Sequence, residues 1–70
     1  MNEAGGNTMN NVKSTRLSKG LTQKQLAEQC NISLSQVKRI ENGNVNQIKI
    51  GTIAKLSDVL NTPISVLFNV

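Results

Sequence analysis

Apolar side chains recur every three or four residues along this chain, a spacing that predicts helices rather than strands. Five helices are predicted, and the two central ones are short segments that each have one narrow apolar face. The members of these two faces are Leu26, Ala27, Cys30, Val37 and Ile40. The sequence therefore predicts an all-α fold, a compact five-helix domain with a small core.

The three outer helices are predicted from the same spacing and from residues that end a helix. A basic helix is expected from about Asn11 to Lys19, where Gly20 provides the C-terminal cap. A longer helix is expected over about 50–60, and a last short one has Pro63 in its first turn and continues through 68. The longer helix is expected to bury Ile50, Ile53, Leu56, Val59 and Leu60.

Both central helices begin with the same capping signal. Thr22 can cap the second helix, and Gln25, three residues later, can close a capping box. Ser33 and Gln36 repeat this arrangement at the third helix. Between the two helices, Asn31 occupies a position that needs a left-handed residue. Two capped helices joined by a turn this short leave each other at a steep angle, which predicts a helix-turn-helix.

The third helix carries a polar and basic strip opposite its apolar face and ends at Gly43. The members of this strip are Ser35, Lys38, Arg39 and Asn42. Such a strip is most often simply solvated, but it also fits the major groove of B-DNA, which is about 12 Å wide. There Arg39 can bind guanine through two hydrogen bonds, and Ser35 can reach a base edge. Leu34, at the edge of the strip, either belongs to the core or contacts a thymine methyl group.

Composition and charge favour a binding protein over an enzyme. Eight Lys and Arg residues outnumber four Asp and Glu residues, and the formal net charge of +4 favours an acidic partner such as nucleic acid. A basic domain without such a partner fits the charge about equally well. Histidine is absent, so the commonest acid–base group and metal ligand is missing. We expect no enzymatic activity, no cofactor or metal and no small-molecule substrate.

The cysteine count and the distribution of apolar residues indicate the cellular setting. Cys30 is the single cysteine, which excludes an internal disulfide and favours a reducing compartment. No apolar run approaches the roughly 20 residues that a membrane span needs. We expect a soluble cytoplasmic protein without membrane association. Residues 1–9 are polar and rich in Asn and Gly, so we expect a disordered arm there and a helix-turn-helix domain over 10–70.

The segment "LTQKQLAEQCNISLSQVKRIENG" resembles the helix-turn-helix of the Cro/CI-type (XRE) repressor family. Members of that family have Leu-Thr-Gln at the start of the second helix, Leu-Ala within it and Glu-x-Gly at the end of the third. The resemblance extends over about residues 12–68, including the tail "VLNTPISVLF". It implies a lambda-repressor-like fold and a sequence-specific transcriptional regulator, most often a repressor, that binds a double-stranded DNA operator.

The resemblance also implies roles for individual side chains. Base contacts are expected from Ser33, Leu34, Ser35 and Arg39. Lys38 is grouped with them, although its charge suits either a base or a phosphate. Phosphate contacts are expected from Thr22, Gln23, Lys24, Asn42, Asn44 and Lys49. Arg16 and Glu41 match a family ion pair that ties the first helix to the third, against the alternative of two separate surface charges. The loop before Lys49 is one residue longer than is usual in the family and lacks its Pro, so the contacts of Asn44 and Lys49 depend on its path.

A homodimer is expected because one helix-turn-helix makes few base contacts, and two copies can bind half-sites about 34–36 Å apart. The tail is richer in apolar residues than a small core needs: Ile64, Val66, Leu67, Phe68 and Val70. We take Val66, Phe68 and Val70 as the candidate dimer surface; the alternative, that all five complete the core, is equally open. Regulation is expected to come from concentration, proteolysis or a regulatory protein partner, and the sequence leaves these alternatives open. The rival function is a protein-interaction module, such as an antitoxin that sequesters a partner protein.

Overall fold

The computed structural model describes residues 10–45 and 47–69, and within these ranges the chain is helical, with no strand. The helices are α1 Val12–Ser18, α2 Gln23–Cys30, α3 Leu34–Glu41, α4 Ile50–Leu60 and α5 Ile64–Leu67. The predicted all-α, five-helix fold is confirmed. Pro63 was expected inside the last helix but stands just before it, as its N-cap. The predicted arm, residues 1–9, lies outside the described residues, and no helix among those described is long and apolar enough to cross a membrane.

Side-chain caps fix where the two central helices begin. At α2, Thr22 Oγ1 accepts from the Gln25 N–H at 3.0 Å, and the Thr22 N–H donates to Gln25 Oε1 at 2.8 Å, which completes the predicted capping box. At α3, Ser33 Oγ accepts from the Gln36 N–H at 3.1 Å. Among the described residues, the Ser33 N–H makes no return bond to the Gln36 side chain. The second predicted box is therefore half formed.

The turn between α2 and α3 depends on a left-handed residue, as predicted. Asn31 has φ 58° and ends α2, and asparagine tolerates this conformation better than most residues. The Ile32 N–H then donates back to the Ala27 carbonyl at 3.0 Å, which closes the end of the helix. Because the chain turns here at once, α3 starts beside α2 and packs closely against it.

One apolar core lies where the five helices meet. Its buried members are Val12, Leu26, Ala27, Cys30, Val37, Ile40, Leu56, Leu60 and Leu67. The predicted apolar faces of α2 and α3 are confirmed, since all five of their residues are in this set. Burial raises the pKa of the Cys30 thiol above its usual value, although nearby Lys55 acts in the opposite direction.

The prediction that Ile50 belongs to the core is wrong. Its side chain is 84% exposed, whereas Leu56 and Leu60 of the same helix are fully buried. Helical geometry explains the difference, because at 100° per residue Ile50 points about 100° away from the direction midway between those two leucines. Ile53 and Val59 point at smaller angles to that direction and are half-buried.

Two alanine substitutions on α4 test this assignment. Leu56→Ala is expected to lower the free energy of unfolding by about 2–5 kcal/mol, because it leaves a cavity in the core. Ile50→Ala, the matched control, is expected to change it by less than about 0.5 kcal/mol, because the side chain is already in water. Urea denaturation measures both values. Comparable losses would contradict the orientation of α4.

Candidate nucleic-acid interface

A buried ion pair joins α1 to the last residue of α3. Arg16 Nε donates to Glu41 Oε2 at 2.7 Å, and Arg16 Nη2 donates to Glu41 Oε1 at 3.3 Å. The two residues are only 6% and 3% exposed. Arg16 Nη1 also donates to the Leu21 carbonyl at 2.8 Å, which holds the residue that precedes the α2 cap. One guanidinium therefore connects three segments of the domain.

Gln23 is a third member of this cluster, and sequence reasoning missed its role there. Its Nε2 donates to Glu41 Oε1 at 3.0 Å, so the first residue of α2 is tied to the end of α3. The two residues are far apart in the chain, and no local spacing signals the contact. An amide nitrogen carries two N–H donors, so the second remains suited to a phosphate.

The cluster can be tested by removing its acid. Glu41→Ala is expected to lower the free energy of unfolding by about 3–5 kcal/mol, because Arg16 is left buried without its counter-charge. Replacing both residues with apolar ones, Arg16→Met with Glu41→Leu, is expected to restore most of the loss. Chemical denaturation measures these changes. Glu28→Ala on the exposed side of α2 is the control, and a loss equal to that of Glu41→Ala would contradict the assignment.

The outward face of α3 carries the candidate base-contacting residues. Val37 and Ile40 are buried on the inner side, while Ser33, Leu34, Ser35, Lys38 and Arg39 are all exposed. Leu34 is 39% exposed and lies outside the buried core cluster, so it is on the outward edge of the helix. Ser33 Oγ serves as the cap acceptor, and its hydroxyl hydrogen can still donate to another group.

The candidate phosphate-contacting residues lie at helix ends. Thr22, Gln23 and Lys24 are at the start of α2, where the Gln25 N–H is already capped and the N–H groups of the first two helical residues have no partner within the helix. Such a terminus attracts anions. Asn42 caps the end of α3, Asn44 follows it, and Lys49 is the N-cap residue of α4; all three are exposed.

The segment after α3 folds back onto that helix. The Asn44 N–H donates to the Arg39 carbonyl at 2.9 Å, and the Ile48 N–H donates to the Val45 carbonyl at 3.3 Å. Val45 and Ile48 pack against the core and hold the segment on the domain. This path places Asn44 beside Arg39, in a shared groove.

The surface of the described residues is basic. Apart from the Arg16–Glu41 pair, they carry seven Lys and Arg residues but only two acids, Glu28 and Asp58. These charged side chains are exposed. Within the same residues, no three His, Cys, Asp or Glu side chains are grouped closely enough to hold a metal ion. The excess of basic over acidic side chains therefore suits this surface to an anionic partner.

The C-terminal apolar residues divide between core and surface. Leu67 is fully buried, whereas Ile64 and Val66 are 42% and 49% exposed. Phe68 is half-buried and packs against the core, and Val70 lies outside the described residues. The core therefore does not bury all of the apolar tail, and exposed apolar surface remains on α5.

The chain matches a known protein family. A family model described as helix-turn-helix matches residues 12–67, from the first residue of α1 to the last residue of α5. No curated protein matches the chain.

Proposed function

This chain belongs to the Cro/CI-type (XRE) helix-turn-helix family of DNA-binding transcription regulators, and from that premise we propose that it is a repressor that binds a two-fold operator as a homodimer. In this proposal α3 lies in the major groove, and the N-terminus of α2 lies on the DNA backbone. The observation that carries the proposal is the outward strip of α3. Its side chains are exposed although Val37 and Ile40, on the same short helix, are almost fully buried.

Base recognition is assigned to the first turn of α3 and to Arg39. A guanidinium matches the O6 and N7 acceptors of guanine with two parallel hydrogen bonds, so Arg39 is assigned to a G·C pair. Ser33 and Ser35 can donate to or accept from base edges, and Leu34 contacts a thymine methyl group. Lys38 is suited to either a base or a phosphate.

Phosphate contacts are assigned to the two ends of the helix-turn-helix. The N-terminus of α2 presents unpaired N–H groups, the positive end of the helix dipole and Lys24 to one strand. Asn42, Asn44 and Lys49 contact the backbone from beyond α3. Contacts of this kind fix the orientation of the protein on the duplex and leave sequence discrimination to the bases.

The dimer is assigned to the C-terminal tail, with Val66, Phe68 and Val70 as its candidate surface. The exposure of Val66 supports this assignment, because the free energy falls when a second copy of the chain covers an exposed apolar side chain. A dimer of this kind presents two copies of α3 to successive turns of the duplex.

Selection from random duplex DNA tests the proposal most directly. We expect a two-fold motif with half-sites about 34–36 Å apart, bound with nanomolar affinity. The logarithm of the binding constant is expected to fall linearly with the logarithm of salt concentration, because phosphate contacts release counterions. A reporter with the selected site placed over its promoter measures repression. A flat salt response without sequence preference would support the rival function, a module that sequesters a protein partner.

Two substitutions separate base contacts from phosphate contacts. Arg39→Ala is expected to cost about 1–3 kcal/mol of binding free energy on the selected site and to relax the preference at one base pair. Lys49→Ala is expected to weaken binding to all sequences about equally and to reduce the salt dependence. Competition titrations with single-base variants of the site measure both effects. If the two variants behave alike, the assignment of these residues is wrong.

A further inference from the structure

Gln25 and Gln36 occupy the same position in their helices, yet their side chains differ in what they bind. Gln25 Oε1 accepts from the Thr22 N–H, as a capping box requires. Among the described residues, the Gln36 side chain makes no such bond with Ser33, and Gln36 is half-buried although Gln25 is exposed. The Gln36 amide is therefore not used by the helix cap.

Gln36 lines a groove between α3 and the segment that follows it. The lining residues are Gln36, Arg39, Ile40, Asn44, Gln47 and Ile48. The groove has a volume of about 170 Å³, whereas small-molecule sites usually have about 300–1,000 Å³. Its size suits the head group of a side chain better than a separate ligand.

The chemistry of the groove matches Arg39, the charged member of its lining. A guanidinium has five N–H donors and no acceptor, so it needs oxygen atoms around it. Gln36, Asn44 and Gln47 line the same groove, and each has an amide oxygen that can accept such a bond. Asn44 is held in place because its N–H donates to the Arg39 carbonyl at 2.9 Å. Gln36 precedes Arg39 by three positions, which makes the two side chains neighbours on the helix surface.

An arginine that binds guanine through two hydrogen bonds must hold its guanidinium in the plane of the base. A long mobile side chain loses conformational entropy when it is held in this way. An acceptor beside the guanidinium reduces that loss because it favours one orientation. We propose that Gln36 is a positioning residue for Arg39: Gln36 Oε1 accepts from one edge of the guanidinium and leaves the opposite edge to bind guanine. This inference rests on the proposed function, because it assumes that Arg39 contacts a base.

The test compares base preference at the pair assigned to Arg39 in the full chain and in variants. Gln36→Met keeps the length and helix propensity of the side chain but removes its strong acceptor. We expect it to reduce the preference for guanine at that pair about tenfold, as the loss of a hydrogen bond to a charged group does. Combined with Arg39→Ala, it is expected to add nothing, because the two residues act as a unit.

A conservative variant and a matched control separate positioning from other roles. Gln36→Glu keeps an acceptor, so the preference for guanine is expected to remain while all sequences bind more weakly, because the added charge repels phosphates. Gln29→Met makes the same change as Gln36→Met on an exposed position of α2, outside the groove, and is expected to leave the preference unchanged.

Three results would overturn the inference without affecting the proposed function. A changed preference at a different base pair that persists with Arg39→Ala would show that Gln36 contacts a base itself. An equal loss on all sequences, accompanied by a lower melting temperature, would show a structural role. An unchanged preference in Gln36→Met, while Arg39→Ala relaxes one pair, would refute the inference and leave the proposed function standing. If Arg39→Ala relaxes no pair, the proposed base contact of Arg39 is wrong, and the inference that depends on it is wrong as well.

Discussion

The orientation of α3, on which the candidate interface depends, is set by the hydrogen-bonded carboxylate of Glu41. It accepts from Arg16 of α1 at 2.7 Å and from Gln23 of α2 at 3.0 Å, so the end of α3 is fixed against both preceding helices. The hydrophobic effect that drives apolar packing is not directional. A buried charge is different, because any movement that removes a partner leaves it uncompensated. The outward face of α3 therefore has a defined orientation even though the core beneath it is small.

The division of labour within α3 follows from the size of that core. With Val37 and Ile40 buried, the eight-residue helix has used its apolar face, and the capping bond at Ser33 fixes its start. Four of the remaining positions, Leu34, Ser35, Lys38 and Arg39, are exposed, so their side chains are available for contacts outside the domain. This explains why a helix that is mostly polar is nonetheless held firmly: its stability comes from two apolar residues, one cap and the buried acid at its end.

The sequence predicted the features that local chemistry determines. The cap at Thr22, the left-handed residue at Asn31 and the buried faces of α2 and α3 depend on neighbours within a few positions, and the structure confirms them. The contact of Gln23 with Glu41 and the exposure of Ile50 depend on how helices pack across the domain, which spacing along the chain does not encode. Gln36 combines both cases, since its backbone follows the local capping rule while its side chain joins a groove built with a later segment. For the candidate site, the exposure of its residues followed from periodicity, whereas their roles rest on the family resemblance.

The segment after α3 links the two kinds of DNA contact that we propose. The bond from the Asn44 N–H to the Arg39 carbonyl joins the residue proposed to contact phosphate to the residue proposed to contact a base, and Ile48 packs the same segment against the core. In a duplex, the position of the backbone relative to the base edges is fixed, so a protein that holds both must keep its own two contact points at a fixed spacing. A short backbone bond supplies that spacing more rigidly than two independent side chains would. The segment between α3 and α4 is therefore compatible with the proposed specific binding, because Asn44 is tied to α3 and both Val45 and Ile48 pack against the core.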